Sequence, residues 1–448
     1  MTDTKMSDNI SPKLLEVAER AKQPDARFYA LAYLIDENAL QRAYKRLRNN
    51  AAAGVDGVTK QEYGESLAEN LRDLHGRMKA GKYRHQPLKR VHIPKGNGKT
   101  RPIGISATED KIVQNALREV LEIVYEPIFY DCSYGFRPGR SAHDAVRFLN
   151  NEAGKGKISW VLEADIESFF DSIDRQMLQE MLQERVPDGS IKRLVGKCLK
   201  VGVLENTELS WEETGTTQGS SLSPLLGNIY LNKVLDEWFE TNVKPRLGGA
   251  ANLVRFADDF IMTFEHRRDA ERVLSVLSQR LSKFGLKLHP EKTRLVPFCR
   301  PNPKDEVKKG PGTFDFLGFT FYWKRSRKGR WILGTKTRRK SINAFMQGIR
   351  EWCRRHRHSP VKVQHRMLKS KLNGHYNYFG VNGNHKCLQS VNYHTACVWG
   401  KWLRRRSHKA RKLTWEKFFG TFLKCYPLPH TRIRVRIWGS DKQLCKPC

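Results

Sequence analysis

Two adjacent aspartates, Asp258 and Asp259, stand between two apolar, β-prone runs, Asn252-Leu253-Val254-Arg255 and Phe260-Ile261-Met262-Thr263-Phe264. The pattern predicts two strands meeting at a tight turn that carries both carboxylates. Side-by-side acids repel, and ionised carboxylates beside apolar strands are costly unless a cation neutralises them. The pair is therefore a candidate site for Mg²⁺, a hard ion that prefers oxygen ligands. Aspartates also favour turns for a purely local reason, since their side chains hydrogen-bond nearby backbone. The rest of the chain decides between these readings.

Ser159-Trp160-Val161-Leu162-Glu163-Ala164-Asp165 reads as a strand ending in an acid, with a helical stretch from Asp174 after it. Asp171 and Asp174 read as helix-start residues rather than as part of the acidic site. Beyond the hairpin, Ala270, Val273, Leu274, Leu277, Leu281 and Phe284 recur at helical spacing, with Gly285 as C-cap, and Leu286-Lys287-Leu288 begins another strand. Strand, helix, hairpin, helix, strand is the split βαβ order of a ferredoxin-like sheet. In that topology the end of the first strand lies beside the hairpin turn, so Asp165 would join Asp258 and Asp259 across about 90 residues.

Upstream, a basic amphipathic helix opens with Ser11-Pro12 as cap and first residue. The turn-rich Gly54-Val55-Asp56-Gly57 follows it. Arg90–Pro94, the polar loop 95–100 and Arg101–Ile105 predict a β-hairpin with a basic tip. Gly98-Lys99-Thr100 is not the end of a P-loop, because Ile93 stands where that motif needs Gly.

Charge is distributed unevenly. The chain has 81 Lys and Arg against 47 Asp and Glu; residues 321–448 hold 32 of the bases and only three of the acids, Glu351, Glu416 and Asp441. The first 320 residues keep 49 and 44, close to balance. So basic a segment repels itself unless it meets a polyanion, which points to nucleic acid. Interleaved aromatics (Tyr322, Trp323, Trp331, Trp352, Tyr376, Tyr378, Phe379, Trp399, Trp402, Trp415) argue for a folded domain with stacking platforms, not a solvated tail.

No apolar run approaches the ~18 residues of a membrane span, and the N-terminus carries no signal peptide. Nine scattered cysteines fit a reducing, cytoplasmic setting better than a disulfide framework. Cys445 and Cys448 form a lone CxxC, short of the four ligands of a structural zinc site unless Cys425 and His430 joined them.

Seven runs occur in an order that identifies a family: Ala53–Gly57, Gly98–Ile105, Tyr134-Gly135-Phe136-Arg137-Pro138-Gly139-Arg140-Ser141, Asp165–Asp171, Thr217-Gln218-Gly219-Ser220-Ser221-Leu222-Ser223-Pro224, Phe256–Asp259 and Phe316–Phe319. With these the chain resembles the reverse transcriptase/maturase proteins encoded by group II introns, across roughly residues 30–425. The resemblance implies an α+β right-hand polymerase: fingers and a ferredoxin-like palm, then an α-helical thumb/maturase domain. It divides the chain into an N-terminal helical extension (1–50), fingers and palm (51–320), a basic helical thumb/maturase domain (321–425) and a basic tail (426–448).

The implied activity is RNA-directed DNA synthesis from deoxynucleoside triphosphates on an RNA template with a DNA primer, alongside binding of group II intron RNA. Asp165, Asp258 and Asp259 would be the catalytic acids and the ligands of two Mg²⁺ ions. Lys95 and Arg101 would grip the triphosphate. Phe170 would exclude a 2′-hydroxyl, Gln218 and Gly219 would approach the nascent base pair, and Leu317, Gly318 and Phe319 would form the primer grip. The run from Leu372 to Gly380 and the cluster Arg404, Arg405 and Arg406 resemble the RNA-binding maturase region.

The sequence departs from the family in two ways. Phe256 replaces the usual Tyr before Ala-Asp-Asp, and the paired CxxC motifs of an endonuclease domain are missing, so no endonuclease is expected. The alternatives are a host-recruited enzyme of the same kind, for example in defence, and an RNA-binding splicing cofactor without polymerase activity. The intact acid triad disfavours the latter.

Overall fold

The computed structural model describes residues 12–96, 99–205, 208–210, 215, 219–302, 310–326 and 328–438, with backbone alone for 94–96, 99, 205, 208 and 209. The central sheet has the order Ala251–Phe256, Asp259–Phe264, Trp160–Asp165, Arg294–Pro297, and every neighbouring pair is antiparallel. Strand residues alternate between its two faces. Leu253, Phe260, Met262, Phe264 and Leu162 enter one core with Ala270, Val273, Leu277 and Leu281 of the Arg267–Ser282 helix. Val254, Ile261 and Val161 enter a second core with Val146 and Leu149 of the Ala142–Gly154 helix. Both faces are covered, which explains the unbroken apolar run Phe260-Ile261-Met262.

The strand order matches the split βαβ expectation, with one correction. The last strand is Arg294–Pro297, not a strand starting at Leu286. Leu286 is fully buried against the end of the preceding helix, after Gly285 turns the chain at φ +70°. Leu288 makes a single bridge to Ile166, and the His289 N–H donates to the Asp165 carbonyl at 2.8 Å. The tight turn Pro290–Lys292 then delays the ladder.

The expected N-terminal hairpin is present, Leu88–Gly96 antiparallel to Lys99–Ile105. Pro12–Ala21 and Glu37–Arg46 pack Leu14 and Leu40 into the same core as Ile112 and Leu117 of the Thr108–Tyr125 helix. Arg185 ties this extension down by donating to the carbonyls of Ala21, Gln23 and Pro24.

A division at residue 320 falls inside the strand Phe319–Arg325, which pairs with Thr313–Phe316 and Trp331–Thr337. The basic helices begin later: Arg339–Arg355, Val361–Phe379 and His385–Arg404. Nor are the residues after 425 all tail. Val435 bridges Val381, and Ile437 is fully buried in the core that holds Phe319 and Trp331. Four of the ten aromatics that read as stacking platforms are core instead, Trp323, Trp331, Tyr376 and Trp399; Tyr322, Trp352, Tyr378, Phe379 and Trp402 are half-buried, and of that set Trp415 is the exposed one. Cys445 and Cys448 lie outside the described residues. Among those described, no helix is long and apolar enough to cross a membrane.

Candidate active site

Backbone register brings the acids together. Asp165 ends its strand directly opposite Asp259, the first residue of the neighbouring strand. Like charges facing each other across a ladder destabilise it, so this pairing has no structural benefit of its own. Asp258 lies in the two-residue turn between Phe256 and Asp259, where Ala257 adopts φ +57°. That conformation costs a residue with a Cβ about 1–3 kcal/mol, and such strain concentrates at functional sites.

Arg255 and residues 132–136 hold the turn in place. Arg255 is completely buried and paired with the equally buried Asp236 at 2.5 and 2.7 Å. It also donates to the Ala257 carbonyl (3.1 Å), Asn228 Oδ1 (3.0 Å) and Ser133 Oγ (2.8 Å). The backbone of Arg255 is clamped from the other side: its N–H donates to the Cys132 carbonyl, and its carbonyl accepts from the Tyr134 N–H, both at 2.8 Å. Gly135 presses so closely beneath the turn that a Cβ there would stand 2.4 Å from the Ala257 nitrogen. Tyr134 and Gly135, which open the Tyr134–Ser141 run, therefore form the floor of this site.

Crowding shows in the electrostatics. Burial pushes the Asp259 carboxyl up to about 7, helped by Asp165 and Asp258, and opposed by Arg338 and a hydrogen bond from the Leu317 backbone. Burial also raises Asp258; its own backbone hydrogen bond opposes the shift, Asp165 adds to it, and Arg101 and Lys292 oppose it. The Lys292 ammonium is ion-paired with Asp165. Among the described residues no group of three or more His, Cys, Asp or Glu side chains forms a ready metal cage. The acids share an edge without closing around a point.

The other expected residues frame this edge. Arg101 lies on the Lys99–Ile105 strand and feels the Asp258 charge. Phe170 is half-buried, edge-on to the buried Phe169 at 5.1 Å. Gly219 takes φ +115°, and a Cβ there would meet the Gly104 carbonyl oxygen at 2.5 Å, so only Gly lets this loop lie against the basic hairpin. Gln218 and the side chain of Lys95 lie outside the described residues.

Leu317 and Gly318 form the turn between Thr313–Phe316 and Phe319–Arg325, both at positive φ as a tight hairpin turn requires. The Tyr378 hydroxyl donates to the Leu317 carbonyl at 3.0 Å, the Arg338 N–H donates to the Gly318 carbonyl at 2.9 Å, and Phe319 is buried against Tyr378 and Phe379. Arg404, Arg405 and Arg406 lie far along the chain, at the end of the His385–Arg404 helix, and do not join the acids by any contact in the structure.

Sequence reasoning missed Arg255, Lys292 and Arg338. Arg255 left a signal, a lone cation in an apolar strand that needs a buried partner. Lys292 and Arg338 left none, since each sits in an ordinary polar run.

The family model described as reverse transcriptase (RNA-dependent DNA polymerase) matches residues 93–321, a stretch that includes all three acids and the Leu317 turn. Protein YkfC of Escherichia coli is 32% identical over 65% of this chain and 81% of its own length. The group II intron-encoded protein LtrA of Lactococcus lactis is 38% identical over 45% of this chain and 34% of its own. This chain belongs to the reverse transcriptase family.

The nuclear intron maturase 4 of Arabidopsis thaliana is 29% identical over 30% of this reverse transcriptase and 17% of that protein. The chain thus spans about a third of LtrA. The family uses divalent metal ions and works on nucleic acid. In this reverse transcriptase the donor chemistry suits such an ion: three carboxylates share one edge, and burial and their mutual repulsion raise the pKa of two of them, although among the described residues they do not close into a cage.

Proposed function

We propose that this reverse transcriptase copies RNA into DNA, joining a primer 3′-hydroxyl to the α-phosphate of a deoxynucleoside triphosphate, and that it binds folded group II intron RNA as a maturase. The observation that carries the polymerase reading is the enforced opposition of Asp165 and Asp259 beside Asp258 on one sheet edge. In this reading the four-stranded sheet is the palm, the Leu88–Ile105 hairpin belongs to the fingers, and the helices after Arg339 are the thumb.

Asp165 and Asp258 would hold two Mg²⁺ ions, with Asp259 as the supporting acid; bound there, the ions lower the pKa of the primer hydroxyl and neutralise the triphosphate. The protein's own part is positioning and charge. Arg101 and Lys95 clamp the triphosphate, the first as a planar fork and the second as a point charge. Phe170 closes the space that a 2′-hydroxyl would need. Gln218 and Gly219 bring backbone up to the nascent base pair. Leu317, Gly318 and Phe319 hold the primer end, in a turn whose two carbonyls are already hydrogen-bonded and so cannot drift.

The basic helices, Arg404, Arg405 and Arg406 among them, grip phosphates of template–primer duplex and of intron RNA. Assisting splicing needs only that they bind the folded RNA more tightly than its misfolded forms. The relatives encoded in introns or named maturases support this second role.

Asp258→Ala tests the assignment. Primer extension on an RNA template should fall on the order of 10³-fold or more, by the scale of lost transition-state charge stabilisation. RNA affinity should stay within twofold or so, because the acids make no attractive contact with phosphates. Surviving extension would move the chemistry elsewhere.

A further inference from the structure

The outer face of the basic helical region carries a row of aromatic rings that stay exposed among the described residues. Tyr393 is 57% exposed, Trp415 40% and Phe419 38%. They share an orientation: Tyr393 and Phe419 lie 5.9 Å apart within 15° of parallel, and Phe419 and Trp415 lie 5.9 Å apart within 29°. The Arg404 guanidinium extends the row, 5.4 Å from the Trp415 ring centre.

Sequence builds this row deliberately on two helical faces. Tyr393, Gly400 and Arg404 follow one stripe of the His385–Arg404 helix. Gly400 has no side chain, and a Cβ there would meet the edge of Trp415 at 2.7 Å, so the indole lies down on the helix. In the segment that Thr414 caps, Phe418 and Phe422 point inward onto Trp399, at 6.2 and 5.2 Å, while Trp415 and Phe419 point out. The inward pair completes the core, and the outward pair packs on it by one side while 38–40% of each residue stays exposed.

Beside Tyr393 and Phe419 lies a hollow of about 370 Å³, rimmed by Gln389, Leu428 and His430. That volume is within the ~300–1,000 Å³ of small-ligand sites. Lys401, Lys409, Arg411, Lys412, Lys417 and Lys424 belong to the same stretch of chain as the row, and Glu416 is the sole acid between residues 352 and 440.

We propose that Tyr393, Phe419 and Trp415 are a stacking site for unpaired RNA nucleotides, whose bases lie on the rings and one of which turns into the hollow. Charge complementarity selects the occupant: a flanking field this positive attracts a polyanion and repels a second copy of the same face. The rings select the form of the polyanion. A duplex shows phosphates and groove edges and would leave three rings idle, whereas every unpaired base offers a π-face. The inference rests on the RNA-binding reading of this region and adds where, and in what form, RNA is held.

The test uses the full chain and two labelled probes, an unstructured oligouridine and a blunt RNA duplex with the same number of phosphates. Tyr393→Leu and Phe419→Leu should each weaken oligouridine binding about tenfold, the scale of one base–aromatic stack, and the loss should be confined to the single strand. Tyr393→Phe, which keeps the ring, should retain the affinity. A 5-bromouridine version of the probe should crosslink to peptides containing these residues. Equal losses on both probes, or none, would overturn the site, as would a wild-type chain whose mass doubles through this face. Wild-type binding of neither probe would instead remove the RNA-binding reading itself.

Discussion

At the edge of the central sheet three carboxylates are crowded by backbone register, whereas in the helices after Arg339 cations stand next to one another in sequence and each of the cluster Arg404–Arg406 finds a ring or a carbonyl. Arg404 lies over Trp415 and Arg405 over Trp402, and Arg406 donates to the His358 carbonyl at 3.1 Å. The acidic edge is strained, as Ala257 and the raised Asp259 carboxyl show. The basic face is relaxed. Chemistry at one point needs groups held where they would not choose to be, while recognition of an extended polyanion needs many weak contacts that can each be spared.

If the comparison is right, one residue beneath the acidic edge should matter more than any cation of the helices. Arg255→Met leaves Asp236 fully buried without its ion-pair partner, and breaking a buried pair in this way costs about 3–5 kcal/mol. Chemical denaturation should show that loss, and extension should fall further than unfolding explains, because the Ala257 carbonyl loses its donor. A loss below about 1 kcal/mol, the level of a surface pair, would erase the contrast between the two regions.

The crowding itself can be measured without catalysis. The Asp259 pKa is raised in the folded state, from 3.8 to about 7. A raised carboxyl contributes stability that is full below the unfolded value and lost as pH rises through the folded one. In chelator, the protein should therefore lose stability between pH 3.8 and about 7, and Asp259→Asn should remove most of that slope, on the order of 4 kcal/mol. Added Mg²⁺ should restore the wild type at neutral pH and do little for the variant. A flat pH profile in chelator would mean that the acids are not strained.

These two regions were unequally legible in the sequence. Asp165, Asp258 and Asp259 could be read because their positions follow from local alternation and from one topology, both of which leave marks within a few residues. The last strand was misplaced because Leu286-Lys287-Leu288 has the alternation of a strand, yet Leu286 is used to close a helix end. Lys292 and Arg338 could not be found, since only the folded chain brings them to Asp165 and Asp259. The basic region was legible in bulk and not in detail. Charge and aromatic content pointed to nucleic acid, but Trp399 and Trp415 look alike in sequence, and packing alone decides that the first is core and the second is surface.

Acid should unsettle the basic region for the opposite reason. His375 is buried against Phe345 and Phe379, its Nε2 has no partner among the described residues, and burial lowers its pKa from 6.5 to about 4. A depressed histidine contributes stability that is present above 6.5 and lost as pH falls toward about 4. The loss should reach about 3 kcal/mol, and His375→Gln should flatten it. The acidic edge gains stability over the same acid range, so wild-type unfolding followed by a probe in each region should diverge below pH 6.5. Coincident transitions would show that one region's titration governs both.

The smallest effect belongs to a single exposed cation. Arg405 lies over the half-buried Trp402 at 5.4 Å, a contact worth about 0.5–1 kcal/mol at an exposed site. Arg405→Ala should leave the unfolding midpoint almost unmoved. What should change is the salt dependence of duplex RNA binding: losing one phosphate contact lowers the log–log slope by about 0.7–0.9. The loss in affinity should grow as salt is lowered, because fewer counterions are released. Arg404 and Arg406, half-buried and already engaged, should give smaller slope changes and larger stability losses than Arg405. If all three gave the same slope change, their intramolecular contacts would be irrelevant to binding, and the relaxed face would be a uniform field of charge with no division of labour among its cations.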